Sequence, residues 1–584
     1  MVATAEGLVG VFCMSVAEIR RRPRSVPSAS FGTDLHPVLR RVYASRGIVS
    51  DAELDLSLQR LLPVGSLAGV DAAAELLARH RSDGRVLVVG DFDADGATSS
   101  ALVVRALRAL RFAHVDFLVP NRFEFGYGLT PEIVALAAER RPTLIVTVDN
   151  GISSVEGAEA AQRLGIDLLV TDHHLPGARL PRAAVIVNPN LPGSTFGSSN
   201  LAGVGVAFYV IAALARRLGD CDFKPAELLD LVALGTVADV VPLDRNNRIL
   251  VAAGLRRIRA GRCVPGILAL LDCAGRSHAE IAAADLGFAV GPRLNAAGRL
   301  ADMSVGIACL LSDEAGEAAR LAVQLSRLND ERRQIEQRMQ VEAVDLAATL
   351  RFAADGAEAV GLCLFDAGWH QGVVGLVAGR IKDRLHRPTV AFARTDDGSL
   401  RGSARSIPGV HIRDALDSIA ARHAGLIHKF GGHAMAAGLS LPAENLSAFR
   451  AAFAAEIARR TDPSLLTGVI DSDGELTTPE ICVGTARVLR AAGPWGQGFP
   501  EPLFDGVFAV ERARIVGDKH LKLTLRAEPQ GDALDAIAFG YVGGDTDQGD
   551  LLAGAQVRLA YRLEVNEYQG RERVQLNCLK VMPA

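Results

Sequence analysis

The stretch VLVVGDFDADG, Val86 to Gly96, places Asp91, Asp93 and Asp95 within five residues, with no Lys or Arg among them. Carboxylates this close repel one another, so at neutral pH they must take up protons or share a cation. The nearest base downstream, Arg105, falls inside the helix that follows, which makes a bound metal the simplest resolution. Similar acids and imidazoles follow other apolar runs: Asp149 in DNG after TLIVTV, and Asp172, His173 and His174 in DHH after DLLVT. Asp239 lies between the apolar stretches of LLDLVALGTVADVVPL. Carboxylate with imidazole and no thiolate suits Mn, Mg or Fe better than a structural zinc site. Taken singly, each acid reads as a helix N-cap and the histidines as a polar pair. Their recurrence at the ends of apolar runs favours a metal centre.

Such a centre suits phosphodiester hydrolysis. Two divalent ions roughly 3.5–4 Å apart offset the phosphate charge, activate a water and stabilise the leaving oxygen of an in-line displacement.

The elements that must position these groups are legible as strands alternating with helices. VLVV, HVDFLV, TLIVTV, DLLVT and AVIVN read as buried strands, and TSSALVVRALRAL, PEIVALAAER and VEGAEAAQRLG as the helices between them, the pattern of a parallel α/β sheet. Ligands on such a sheet gather beyond the carboxyl ends of its strands. We expect a polar helical segment over 1–75, the sheet-bearing unit over 76–311, and a connecting helix over 312–352. Leu321, Leu325, Leu328, Ile335 and Met339 share one face of that helix, which either joins two lobes or packs on one. A smaller α/β unit spans 353–461. Five strands over 462–584 suggest a small β-barrel of OB type.

Outside the acids, Arg293, Asn295 and Arg299 in GPRLNAAGRL, Ser403 and Arg405 in GSARS, and Gly431, Gly432 and His433 in FGGHAMAAG read as phosphate-holding groups or as ordinary turns and solvated arginines. The barrel offers Lys519, His520, Lys522, Tyr541, Arg558, Arg562, Tyr568, Arg571 and Arg573, a mixture that suits a backbone-tracking, base-stacking surface. Trp495 in GPWGQGFPEPLF reads as a domain-junction anchor.

The ordered set DFDADG, DNG, TDHH, GTVADVVPL, GPRLNAAGRL, LNDERRQIEQ, GGHAMAAG and GPWGQGFPEPLFDG resembles the DHH phosphoesterase superfamily, and within it the exonucleases specific for single-stranded DNA, from about residue 50 to the C-terminus. The resemblance implies Asp93 and Asp95 as ligands to each of two Mn²⁺ or Mg²⁺ ions, Asp149 as their bridge, and His173 and Asp239 as further ligands. His174 is then expected beside the scissile phosphate. Many members carry a ligand histidine four residues before the first of these aspartates; here that position is Val89, leaving Asp91 or water to complete the shell. The resemblance favours phosphate binding by the GPRLNAAGRL, GSARS and FGGHAMAAG residues. It also implies 5′→3′ release of nucleoside 5′-monophosphates in repair and recombination, alongside a single-strand-binding protein and a helicase. The rival readings are a DHH phosphatase for short oligonucleotides or other small substrates, and a non-catalytic DNA-binding scaffold.

The bulk composition fits a multidomain globular chain: 584 residues, 49% apolar, 22% charged. A net charge of −4 argues against coating of nucleic acid without a local groove. Eight cysteines without a CxxC pair fit free thiols in a reducing cytoplasm. No apolar run long enough to span a bilayer is evident. The basic cluster Arg20–Arg22 follows rather than precedes the apolar N-terminal run, unlike a signal peptide; Met14 is an alternative start.

Overall fold

The computed structural model describes residues 17–23, 31–120, 128–219, 221–350, 359–517, 519–527, 531–541, 553–568 and 570–584; Met14 and the side chain of Tyr568 lie outside these. The first lobe is a five-stranded, all-parallel sheet: β2 (Arg85–Gly90), β3 (His114–Leu118), β4 (Leu144–Val148), β5 (Asp167–Thr171) and β6 (Val185–Val187), in the order β3-β2-β4-β5-β6. Both faces are covered. Val86 and Val88 face one core, Leu87 and Val89 the other, which is why the strands read as continuous apolar runs. The chain leaves β2 for β3 and returns on the opposite side as β4. The strand order therefore reverses between β2 and β4, and a crevice opens beyond their carboxyl ends.

Six helices matter most here: α1 (Ala94–Ala109), α2 (Gly203–Leu218), α3 (Leu229–Ala238), α4 (Arg245–Arg259), α5 (Gly291–Leu300) and α6 (Ala315–Leu350). The long α6 joins two lobes. Leu321 and Leu325 enter the first lobe's core, whereas Met339, Ala343 and Ala347 enter that of the second. Between them, Glu336 receives Arg332 from its own helix and Arg380 from the second lobe, and Trp369 donates its indole N–H to Glu342 at 2.9 Å.

The second lobe carries a mixed sheet in the order β10-β11-β9-β8-β7, from β7 (Leu362–Phe365), β8 (Thr389–Arg394), β9 (Leu400–Arg405), β10 (Lys429–Gly432) and β11 (Ala436–Leu441). After β12 (Gly468–Ser472) and helix α7 (Val483–Ala491), strands β13 (Phe504–Val516), β14 (His520–Arg526), β15 (Leu534–Ala538), β16 (Gln556–Tyr568) and β17 (Arg571–Pro583) close a barrel, ordered β13-β14-β15-β17-β16.

One expectation is corrected. The N-terminal segment is not purely helical: β1 (Ala17–Arg21) pairs in parallel with β12, and Arg20 meets Asp471 while Arg21 meets Asp505. Trp495 stacks on Phe499 at 5.1 Å, with Arg46 5.3 Å from its ring centroid, at the junction of the N-terminal segment and the barrel. Among the described residues, no single helix is long and apolar enough to cross a membrane.

Candidate metal centre and cleft

The acids converge in the crevice. Asp91 follows β2 directly, Asp149 follows β4, and the DHH run follows β5. Asp93 caps α1, its Oδ1 accepting the N–H groups of Asp95 and Gly96 at 2.9 and 3.0 Å. Asp95 is tied from the opposite side: the first N–H groups of α2, on Gly203 and Val204, reach its two oxygens at 2.6 and 3.0 Å. These donors belong to a helix N-terminus, which favours negative charge. Asp149 adopts φ +61, a left-handed conformation that Asp tolerates better than most residues. Gly203 makes room beside it, since a Cβ there would stand 2.6 Å from the Asp149 Cβ.

Ligand atoms within 4.8 Å of one another form three overlapping sets: Asp91, Asp93 and Asp149; Asp149, His173 and His174; Asp95, His173 and Asp239. Asp149 and His173 are each shared by two sets, the arrangement a two-ion centre with a common carboxylate requires. The electrostatics agree. Burial, then the charges of Asp95, Asp93, Asp239 and Asp91, hold Asp149 well above the usual carboxylate range. Asp239 is raised by burial and by the charges of Asp95, Asp93, Asp91 and Asp172, and Asp95 is pushed up to about 7 by burial and Asp93. Burial and the neighbouring His174 push His173 down to about 4, so its imidazole is neutral, the form that binds metal. Its Nε2 is buried, makes no hydrogen bond among the described residues, and lies 3.1 Å from Asp149 Oδ1 and 3.5 Å from Asp239 Oδ2. Clustered acids around such a nitrogen fit divalent cations.

Asp172 is the scaffold of the histidine pair. Its Oδ1 accepts the backbone N–H groups of His173 and His174 and bonds to His174 Nδ1 at 2.7 Å, while Oδ2 accepts the Ile152 N–H. Burial alone would lower the pKa of His174, but this bond and the charges of Asp172, Asp91 and Asp93 raise it. Asn188 and Asn190, unnoticed in the sequence, fix the carbonyls of His174 and His173; their signal was the NPN turn that follows the AVIVN strand. Asp239 is the C-terminal cap of α3. The next residue, Val240, is β-branched with φ +63 and 62% exposed, a strained conformation of the kind that clusters at functional sites. Val89 points into the β2 core, and Asp91 occupies the set with Asp93 and Asp149.

The second lobe faces this centre. The ring of His433 stacks 5.9 Å from that of His174. Gly431 and Gly432 form the end of β10 that leads to His433. Arg405, on β9 beyond the intervening β11, bonds only Ser403 Oγ and the Ala404 carbonyl among the described residues, with no carboxylate partner; burial lowers its pKa. A cationic fork of this kind suits a phosphate. Arg299 donates to the Gly372 carbonyl at 3.1 Å and so touches both lobes. Two residues of GPRLNAAGRL are placed otherwise than expected. Arg293 is 7% exposed and its guanidinium serves the Ala289 and Cys273 carbonyls and Ser326. Asn295 Oδ1 accepts the Ala94 N–H and anchors the acid loop. Both lie on helix α5 rather than in a surface loop.

On the barrel, Lys519, Arg571 and Arg573 are exposed and Lys522 is half-buried. Arg558 is engaged by the buried Asp505, and Arg562 by Glu501. Tyr541 is half-buried. Among the described residues the exposed aromatic of the barrel is instead Phe539, 60% accessible and edge-on to His520 at 5.2 Å.

A parallel sheet that ends in paired acid sets and a DHH histidine pair, faced by a second lobe, defines a DHH phosphoesterase. Residues 85–236 match the DHH family N-terminal domain, 357–459 the DHHA1 domain and 472–580 the RecJ OB domain. The single-stranded-DNA-specific exonuclease RecJ of Dickeya dadantii is 52% identical over 571 residues, covering 96% of this chain and 98% of the relative. That of Escherichia coli is 52% identical over 577 residues, covering 97% and 99%. The crystal structure of RecJ in complex with Mn²⁺ from Thermus thermophilus superposes with a TM-score of 0.78 at 32% identity, covering 98% of this chain and 79% of that one. The chain belongs to the RecJ family.

Proposed function

We propose that this chain is a metal-dependent exonuclease that degrades single-stranded DNA from its 5′ end and releases nucleoside 5′-monophosphates. The observation that carries this reading is the convergence of two ligand sets on Asp149 directly beneath the contact between His174 and His433. Asp91, Asp93, Asp95, Asp149, His173 and Asp239 hold two divalent cations, Mn²⁺ or Mg²⁺, which supply charge neutralisation and an activated water when bound. His174, fixed through Nδ1 by Asp172, turns its other nitrogen toward the cleft. The carboxylates of Asp172, Asp91 and Asp93 favour its protonated form, a proton source for a phosphate oxygen or the departing 3′-oxygen. Arg405, Ser403 and His433 hold phosphate from the second lobe.

In this reading, 76–311 is the nuclease unit, 312–352 the connector, 353–461 the clamp and 462–584 the DNA-binding unit, with Lys519, Lys522 and Arg571 on its DNA face. The role is repair and recombination in the cytoplasm, where a single-strand-binding protein and a helicase supply the strand. The test is digestion of long 5′- or 3′-labelled strands, single or duplex, with Mn²⁺, Mg²⁺ or chelator. Stepwise mononucleotide release from single 5′ ends, abolished by chelator, is expected. Turnover restricted to dinucleotides would instead favour a small-substrate phosphatase, and no metal-dependent turnover would leave a scaffold.

A further inference from the structure

Between the metal centre and the barrel lies a surface that the reading above does not use. The segment Leu286–Val290 is a π-helical turn, a local widening frequent at functional sites. It packs on the carboxyl end of α3: a Cβ on Gly287 would lie 3.2 Å from Val237 Cγ1, and one on Gly291 3.1 Å from Ala238 Cβ. Asp239 is the next residue of that helix. Phe288, between those two glycines, is 81% exposed. A phenyl ring presented to water beside a metal ligand costs apolar burial and has no role in the core.

At the other end of α3, Asp230 feels the charge of Arg257 in α4. There α4 and α7 meet on one turn: Arg259 donates to the Ile281 carbonyl at 2.8 and 2.6 Å, and Arg490 of α7 to the Glu280 carbonyl at 2.9 Å. Arg256 and Arg262 flank them, both exposed. None of the four pairs with a carboxylate among the described residues. Of the nearby acids, Asp285 is engaged by the Ala282 N–H and lies 3.5 Å from Arg276. The ten residues of α3 separate the two features by about 15 Å at the α-helical rise, on the order of four phosphates at the per-strand spacing of stacked DNA. The turn 280–281 leads through Ala283–Asp285 directly into the π-turn, so the aromatic and the arginines share one connected surface.

We propose that this surface is a track for the single strand between the cleavage site and the barrel: Phe288 stacks a base close to the metal centre, and Arg256, Arg259, Arg262 and Arg490 carry the phosphates on toward α7. An exposed ring followed by unpaired cations is what sequence-tolerant single-strand binding requires. The proposal rests on the nuclease reading but is tested by binding in chelator, where no cleavage intervenes. Oligonucleotides carrying 2-aminopurine at successive positions near the 5′ end are titrated onto the full chain. The wild type is expected to quench the probe at one or two positions, and F288A to lose that quenching and bind about tenfold more weakly. The double variant R256Q/R262Q is expected to flatten the dependence of log K on log salt by about 1.4, for two lost contacts to a single strand. Unchanged quenching in F288A, or an unchanged salt slope in the double variant with its melting temperature preserved, overturns the track. Wild-type protein that binds the strand yet leaves it intact with Mn²⁺ sinks the nuclease reading instead.

Discussion

Asp149 concentrates the conflict that the metal centre resolves. It is 2% exposed, adopts a left-handed backbone, and feels four other carboxylates. Without cations this cluster is a liability, because buried charge without a counter-charge is costly. D149N tests that account. Asn also tolerates the left-handed region, so the turn survives while one charge is removed. In chelator, D149N should melt no lower than the wild type. Saturating Mn²⁺ should raise the wild-type melting temperature, by the equivalent of about 2.7 kcal/mol at a hundredfold excess over the dissociation constant, and leave D149N unmoved and inactive. Thermal melts with and without Mn²⁺ read all of this, and an equal Mn²⁺ shift in D149N would remove Asp149 from the centre. The acids were legible because strand-end carboxylates interrupt apolar runs in plain view. Arg293 was not: an arginine that serves buried carbonyls is written with the same letter as one that grips phosphate.

At the scale of elements, what reached the page most directly were the buried strands and α6, whose patterns are local. The exact end of α3 at Asp239 was hidden because α3 is buried on nearly every side, and a helix apolar all round has no period to mark where it stops. β1 was hidden for another reason: its partner β12 lies some 450 residues away, and non-local pairing leaves no mark on five residues rich in arginine. Two elements carry predictions. The N-terminus of α2 holds Asp95 and packs against Asp149 through Gly203. G203A must push them apart, at about 1–3 kcal/mol of stability. Hydrolysis should fall about a hundredfold, since small misplacements at a reacting centre cost that much; activity within a few-fold of wild type would show that the helix terminus can shift freely. The connector α6 fixes the second lobe's azimuth. One residue inserted after Arg333 turns everything beyond by about 100°, carrying His433 away from His174. Single-strand hydrolysis should then be lost although both lobes keep their cores by circular dichroism. Retained hydrolysis would mean that the lobes dock without guidance from the helix.

The whole molecule is held together by an N-terminal strap. Ile19 packs against Leu503 and Ala560 at the base of the barrel. Arg21 reaches Asp505, which is wholly buried and bonded also to Arg558 and Ser472. Burial would raise the Asp505 pKa, yet these partners hold it below the usual carboxylate range. Arg46 grips Asp473, the residue directly after β12, at 2.7 Å, with both side chains 1% exposed. The strap therefore pins the segment entering the barrel to the nuclease lobe, and with it the path of any strand that must reach both. Deleting residues 1–22 removes β1 but leaves every metal ligand in place. Dinucleotide turnover should stay near that of the full chain, while the KM for long single strands rises about tenfold as the barrel loses its fixed position. Proteolysis should appear between the second lobe and β13, where the parent resists. R21A should show a smaller change of the same kind, because half of that side chain already faces solvent. If the deletion binds and degrades long strands as the parent does and resists protease equally, the barrel is held by its own contacts, and the N-terminal strand serves neither geometry nor substrate.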